Sequence, residues 1–97
     1  MVNILVTMEV KDFALLAVFE RKAVAIMGAH GGEVVRAFEC GRNEDGSGKE
    51  IHLLEFPSLV AFESYRSNPL LLKYANLRSK AIESTAIVIS TESKEYA

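Results

Sequence analysis

Cysteine is nearly absent from this chain of 97 residues: Cys40 is the single copy. No disulfide can close within the chain, so a reducing, cytoplasmic setting is expected. Cys40 also has no neighbouring cysteine or evident activating base, which leaves thiol nucleophilic chemistry without support. An excess of charge of one sign is lacking too. Eleven Lys and Arg stand against thirteen Asp and Glu, a net charge of −2. The basic residues are scattered from Lys11 to Lys94 without forming a stripe, which argues against nucleic acid as a partner, because phosphate binding needs clustered cations. No apolar run approaches the roughly 20 residues of a membrane span. The opening stretch, Met1 to Val6, has no positive leader and turns polar at Thr7 and Glu9, so neither a membrane partner nor a secretion signal is expected. Only two histidines are present, His30 and His52, with no acid or cysteine at ligand spacing, and no haem or flavin ligand pattern accompanies them. Neither a metal nor another cofactor is expected. The glycines at 28, 31 and 32, and at 46 and 48, match no phosphate-cradling loop.

What is present is ample apolar material, 49% of the residues, enough for one core and one domain over residues 1–97. Val2, Ile4, Val6, Met8 and Val10 alternate with Asn3, Leu5, Thr7 and Glu9, the period-two signal of a strand. Asp12 offers an N-cap to a helix reaching about Gly28, with Leu15, Leu16, Phe19, Ala23, Ile26 and Met27 as its buried stripe. Gly28, Gly31 and Gly32 stop it. Glu33 to Cys40 and Glu50 to Phe56 read as strands joined by a polar, glycine-bearing hairpin loop. Pro57 ends the second of them, and Ser58 caps a short helix to about Ser67. Asn68 and Pro69 restart a helix that runs to about Glu83. Ala86 to Thr91 forms the last strand, and Glu92 to Ala97 is a polar tail.

The order β-α-β-β-α-β predicts an α+β, ferredoxin-like fold: a four-stranded antiparallel sheet with both helices on one face. The other sheet face is then bare and, with Leu5 and one set among Ile87, Val88 and Ile89, partly apolar. A homodimer packed through that open face is the economical way to cover it.

Arg78 is the residue that most narrows function. On a continuous helix from Pro69 to Glu83 it falls near the centre of an arc made by Leu70, Leu71, Tyr74, Leu77, Ala81 and Ile82. An unpaired charge buried there would cost several kcal/mol. Either Arg78 clamps the helix to a strand carboxylate, with Glu55, Glu39 and Glu9 available, or it faces a pocket and binds a ligand carboxylate or enolate bidentately.

From the third strand onward the chain resembles the dimeric α/β-barrel superfamily, and within it a small bacterial branch of unknown function related to cofactor-free monooxygenases. The matching residues are Leu53-Leu54-Glu55-Phe56-Pro57-Ser58, then Phe62, Tyr65, the Asn68-Pro69 restart and Arg78. The resemblance implies a homodimer whose two sheets form a barrel, with a pocket in each subunit between sheet and helices. Related branches include cofactor-independent monooxygenases, haem-degrading enzymes and muconolactone-type isomerases. Tryptophan is missing here, whereas oxygen-using members commonly rely on one, which weakens the monooxygenase reading.

The candidate ligand-binding residues are Arg78, Glu55, Tyr65, Tyr74 and Arg66, and the candidate catalytic residues are Arg78, Glu55 and His52. Tyr65 and Tyr74 are placed at a pocket rim, a position that half-buried core tyrosines also take. Arg66 equally suits a snorkelling surface role. His52 is the only strand histidine and titrates near neutrality, although such a residue is commonly a surface or interface one. Glu55 and His52 are an odd number of positions apart and point to opposite faces of a regular strand. Two functions stay open: a homodimeric protein binding a small organic ligand, or a cofactor-free enzyme acting on a small carbonyl or enolisable compound.

Overall fold

A computed structural model describes residues 1–96; of the polar tail, Ala97 lies outside the described residues. The elements are β1 (Val2–Val10), α1 (Phe13–Ala29), β2 (Glu33–Arg42), β3 (Gly48–Phe56), α2 (Leu59–Arg66), α3 (Pro69–Leu72), α4 (Ala75–Ala81) and β4 (Ile82–Ser90). The four strands form one sheet in the order β2-β3-β1-β4, and every neighbouring pair is antiparallel. This is the ferredoxin-like arrangement expected from the order of elements.

Alternation in β1 decides which face is covered. Val2, Ile4, Met8 and Val10 are buried and meet α1, α2 and the α3–α4 segment in two clusters. One joins Met8 and Val10 to Phe13, Leu16, Phe19, Ala23, Ala81 and Ile82. The other joins Val2 and Ile4 to Met27, Leu54, Phe56, Phe62 and Tyr65. Register fixes the rest: Ile4 pairs with Leu54 and Val6 with His52, so His52, Leu54 and Phe56 share the covered face. Asn3 pairs with Glu55 and Leu5 with Leu53, so those four lie on the bare face.

Local chemistry explains the boundaries. Asp12 accepts the Leu15 amide and Ser58 the Ala61 amide, each satisfying an orphan donor at a helix start. At the end of α1, Gly31 takes the left-handed backbone (φ 74), and the next residue, Gly32, approaches the Phe56 ring so closely that a Cβ would sit 2.4 Å from it. Glycine is the one residue that fits there.

The long helix expected from Pro69 to Glu83 is broken. Leu72 ends α3, Tyr74 departs from helical dihedrals (φ −96, ψ 17), and α4 stops at Ala81. The backbone amides of Lys11 and Asp12 both donate to the Ala81 carbonyl, at 2.8 and 3.3 Å. That capture turns the chain out of the helix, so β4 begins at Ile82 rather than Ala86. The break also rotates the expected arc: Leu70 is 60% exposed, while Ala81 and Ile82 are buried. Strands β2 and β3 extend past their expected ends to Arg42 and from Gly48.

Candidate functional site

A cavity of about 640 Å³ opens between the covered sheet face and the helices. Its floor is Val6 and Met8 of β1, His52 and Leu54 of β3, and Thr85 and Ile87 of β4; α1 contributes Phe19, Glu20 and Met27. Phe62, Tyr65 and Arg66 of α2 and Ala75, Arg78 and Ser79 of α4 complete the walls. It stays open because the broken α3–α4 segment leaves the end of β4 uncovered: Ile87 and Ile89, in register with Val6 and Ile4, remain 37% and 41% exposed. The walls are thus mostly apolar with a few convergent polar groups, the usual make-up of a small-molecule site.

His52 is the innermost of those groups, its side chain only 7% exposed. Its Nε2–H donates to Glu50 Oε2 at 2.5 Å, so that whenever the ring is neutral Nδ1 is its bare nitrogen. The nearest acid to Nδ1 is Glu20 Oε2 at 3.9 Å, beyond hydrogen-bond range. Burial pushes the Glu20 carboxyl above its ordinary value; His52 opposes that, Glu50 adds to it, and Arg78 lowers it again. Tyr65 is buried, and desolvation together with the Glu20 charge lifts its phenol to about 12, against a smaller opposing pull from Arg78. The phenol therefore stays protonated at neutral pH and can donate a hydrogen bond.

The structure places the sequence-derived candidates as follows. Arg78, Tyr65, Arg66 and His52 line the cavity. Arg78 is not sunk in the core: it is exposed, makes no ion pair among the described residues, and its Nη2 donates to Thr85 Oγ1 at 2.8 Å. The clamp to Glu55, Glu39 or Glu9 does not exist. Glu9 pairs with Lys49 at 3.1 Å and Glu39 with Arg42 at 2.7 Å. Glu55 is on the bare face, opposite Asn3 and Glu33, so it has no part in the cavity. Tyr74 packs against the core beside α1, with Lys22 Nζ 5.1 Å from its ring centre, and does not line the cavity either. Arg66 lies over the Phe62 ring at 5.3 Å and near Glu63 at 3.7 Å.

Glu20 and Glu50 escaped notice in the sequence, although a signal existed. Leu16, Glu20, Ala23 and Met27 step by four, three and four residues, which puts Glu20 on the buried stripe of α1. Glu50 shares strand parity with His52. Among the described residues no group of three His, Cys, Asp or Glu side chains has an arrangement that could hold a metal ion, and no helix is long and apolar enough to cross a membrane.

Sheet order and single-sided helices define a ferredoxin-like fold. Neither a protein-family model nor a curated protein matches the sequence. Solved structures do. A protein of unknown function from Rhodopseudomonas palustris superposes with a TM-score of 0.77 at 16% identity, over 97% of this chain and 83% of its own. SnoaB, a cofactor-independent oxygenase from Streptomyces nogalater, gives 0.68 at 18% identity over 97% of this chain and 94% of its own. An antibiotic biosynthesis monooxygenase gives 0.65 at 12% identity, over 97% and 100%. At these identities the likeness is one of fold, and it agrees with the ferredoxin-like fold expected from the order of elements.

Proposed function

We infer that this protein is a cytoplasmic homodimer, joined through the bare sheet face, that binds a small organic anion in the cavity between sheet and helices. The observation that carries the ligand reading is Arg78, a guanidinium on the wall of a mostly apolar cavity whose described hydrogen-bond partner is a neutral hydroxyl, Thr85. Five donors in a planar fork suit a carboxylate or enolate held bidentately. Tyr65 supplies a second, neutral donor on the same cavity. The dimer reading rests on the exposed apolar groups of the bare face, Leu5, Phe38 and Val88, at 41%, 52% and 65%; exposed apolar side chains on three of the four strands favour a partner.

The test of the binding reading is a titration with small aromatic and aliphatic carboxylates followed by amide shifts. Shifts are expected at Arg78, Tyr65 and His52, and they should vanish in Arg78→Lys, which keeps the charge but loses the fork. Equal affinity in Arg78→Lys would contradict it.

A second reading, a cofactor-free enzyme acting on a small carbonyl or enolisable compound, is favoured by one observation: a buried histidine, oriented by a carboxylate, on the wall of the same cavity. In that reading His52 moves a proton, Arg78 stabilises an oxyanion and Tyr65 orients the ligand.

A further inference from the structure

Behind the main cavity lies a second one of about 330 Å³, bounded by Phe13, Leu16, Val34 and Ala37 and by the charged residues Glu39 and Arg42. The two cavities share only Glu20 and His52, and Glu50 lines the second alone. A partition between a ligand space and a solvent-facing space is thus built from three titratable side chains in line: Glu50 Oε2 on His52 Nε2 at 2.5 Å, then His52 Nδ1 facing Glu20 Oε2 at 3.9 Å. Helix α1 and strand β3 each bring one end of it. A third depression, near Gly41 to Lys49, offers nothing comparable: its Glu9, Lys49, Lys11 and Glu83 are paired among themselves.

We propose that Glu50, His52 and Glu20 form a proton relay acting on a 2-oxo acid with an apolar body, held in the larger cavity by Arg78. The proposal rests on the ligand reading above and adds the reaction and the substrate class. Each part of such a molecule has a counterpart on the cavity wall. The carboxylate meets the fork of Arg78, the keto oxygen meets the Tyr65 hydroxyl, and the apolar body lies along Val6, Met8, Phe62 and Leu54. The carbon next to the carbonyl then faces His52.

The step is an interconversion of keto and enol forms, neutral in redox terms. His52 Nδ1 takes a proton from the carbon beside the carbonyl; the electron pair of that C–H bond becomes the C=C bond, and the carbonyl π pair moves to oxygen. The Glu20 carboxyl, kept protonated more readily by its burial, gives its proton to that oxygen. As the product leaves, the imidazolium passes its new proton to the Glu20 carboxylate, 3.9 Å away, through a water entering the vacated cavity, so the protein ends as it began. Glu50 remains an acceptor throughout: it fixes the ring with Nδ1 bare and steadies the transient imidazolium, the part an orienting carboxylate plays beside a histidine base. The other charged or titratable groups around His52 are Arg78 of α4, Tyr65 and Arg66 of α2, and the Glu39–Arg42 pair of β2. Arg78 and Arg42 are permanent cations, and Arg42 is neutralised by Glu39.

The experiment uses the full chain and phenylpyruvate, whose enol absorbs in the near ultraviolet, with binding read separately by amide shifts. Wild-type protein should speed the enol–keto conversion; His52→Gln should lose about a hundredfold or more of that rate, the usual contribution of a positioned base. Glu20→Gln should lose at least about tenfold, with binding retained. Glu50→Gln is expected to lower kcat while leaving KM near wild type and to displace the limb of the pH–rate profile set by His52. That is the signature of a positioning residue, and a merely structural contact would not produce it. Because His52→Gln alters a buried site, amide shifts on phenylpyruvate addition check that its cavity is intact, and the milder Glu20→Gln carries the test if it is not. If phenylpyruvate binds in an Arg78-dependent way but wild type and Glu20→Gln convert it at the same rate, the relay is overturned and the ligand reading stands. If phenylpyruvate and the simple carboxylates all fail to bind, the ligand reading falls and the relay with it.

Discussion

The two faces of one sheet differ in what the chain itself supplies. On the covered face Ile4 and Phe56 are completely buried and Leu54 nearly so; one residue along on each strand, Leu5 and Leu53 form the middle of a stripe that ends in Val88 and Arg36. Both faces carry apolar side chains, yet helices cover only one. The difference teaches that alternation in a strand sets which residues stand together, not which of the two sets will be inside. The covered face spends most of its apolar surface on the core and keeps one corner for a cavity, whereas the bare face leaves Leu5 and Val88 exposed.

Breaking the covered face should have the largest effect. Phe56→Ala removes a ring packed edge-on to Phe62 at 5.2 Å and tilted against Tyr65 at 5.5 Å, and is expected to cost about 3–5 kcal/mol in urea unfolding. The same insult on the bare face should act on assembly instead. Leu5→Glu puts a charge in the centre of the exposed stripe, and sedimentation at micromolar concentration should change from dimer to monomer. A wild-type protein that already sediments as a monomer there would remove the partner from the comparison.

Within the cavity the expected effects are smaller and depend on pH. Burial raises the Glu20 carboxyl above its ordinary 4.5, so the folded chain holds that proton more tightly than the unfolded one. Below pH 4.5 the group is protonated in both states and makes no difference. Stability falls as pH rises through the window above that value, because the charged form is disfavoured only in the fold. Glu20→Gln should accordingly melt higher than wild type at pH 7.5, with the gap closing as pH approaches 4. The smallest effect belongs to Arg78→Ala. The side chain is exposed and its one bond goes to Thr85, so stability should move by less than about 0.5 kcal/mol. A loss of several kcal/mol would restore Arg78 to the core.

The sequence carried the fold well for a physical reason: strands and helices have their own periods, and α1, α2 and α3 have their own caps. Asp12, Ser58 and Asn68 start helices as capping residues do, and their side chains accept the expected amides. The cavity was harder to read, because two of its determinants are long-range. The capture of the Ala81 carbonyl by Lys11 and Asp12 ends early a helix that is continuous by periodicity, and the break at Tyr74 divides the arc that placed Arg78 at a buried centre. Strand parity was the other: nothing local to Leu53-Leu54-Glu55-Phe56 says which face the helices will cover, and Ile4 opposite Leu54 settles it. Glu55 consequently leaves the site and His52 enters it. Glu20 was legible on the stripe of α1, but a lone acid there gains meaning only once His52 stands across from it.

The most direct test of the proposal that Arg78 binds a ligand anion is its Nε–H resonance, followed by nitrogen-edited NMR while phenylpyruvate is added. A saturable shift of that resonance, together with those of Tyr65 and His52 and lost in Arg78→Lys, is the result predicted. A resonance that stays fixed at millimolar phenylpyruvate, or a shift confined to surface arginines such as Arg21 and Arg36, would contradict it.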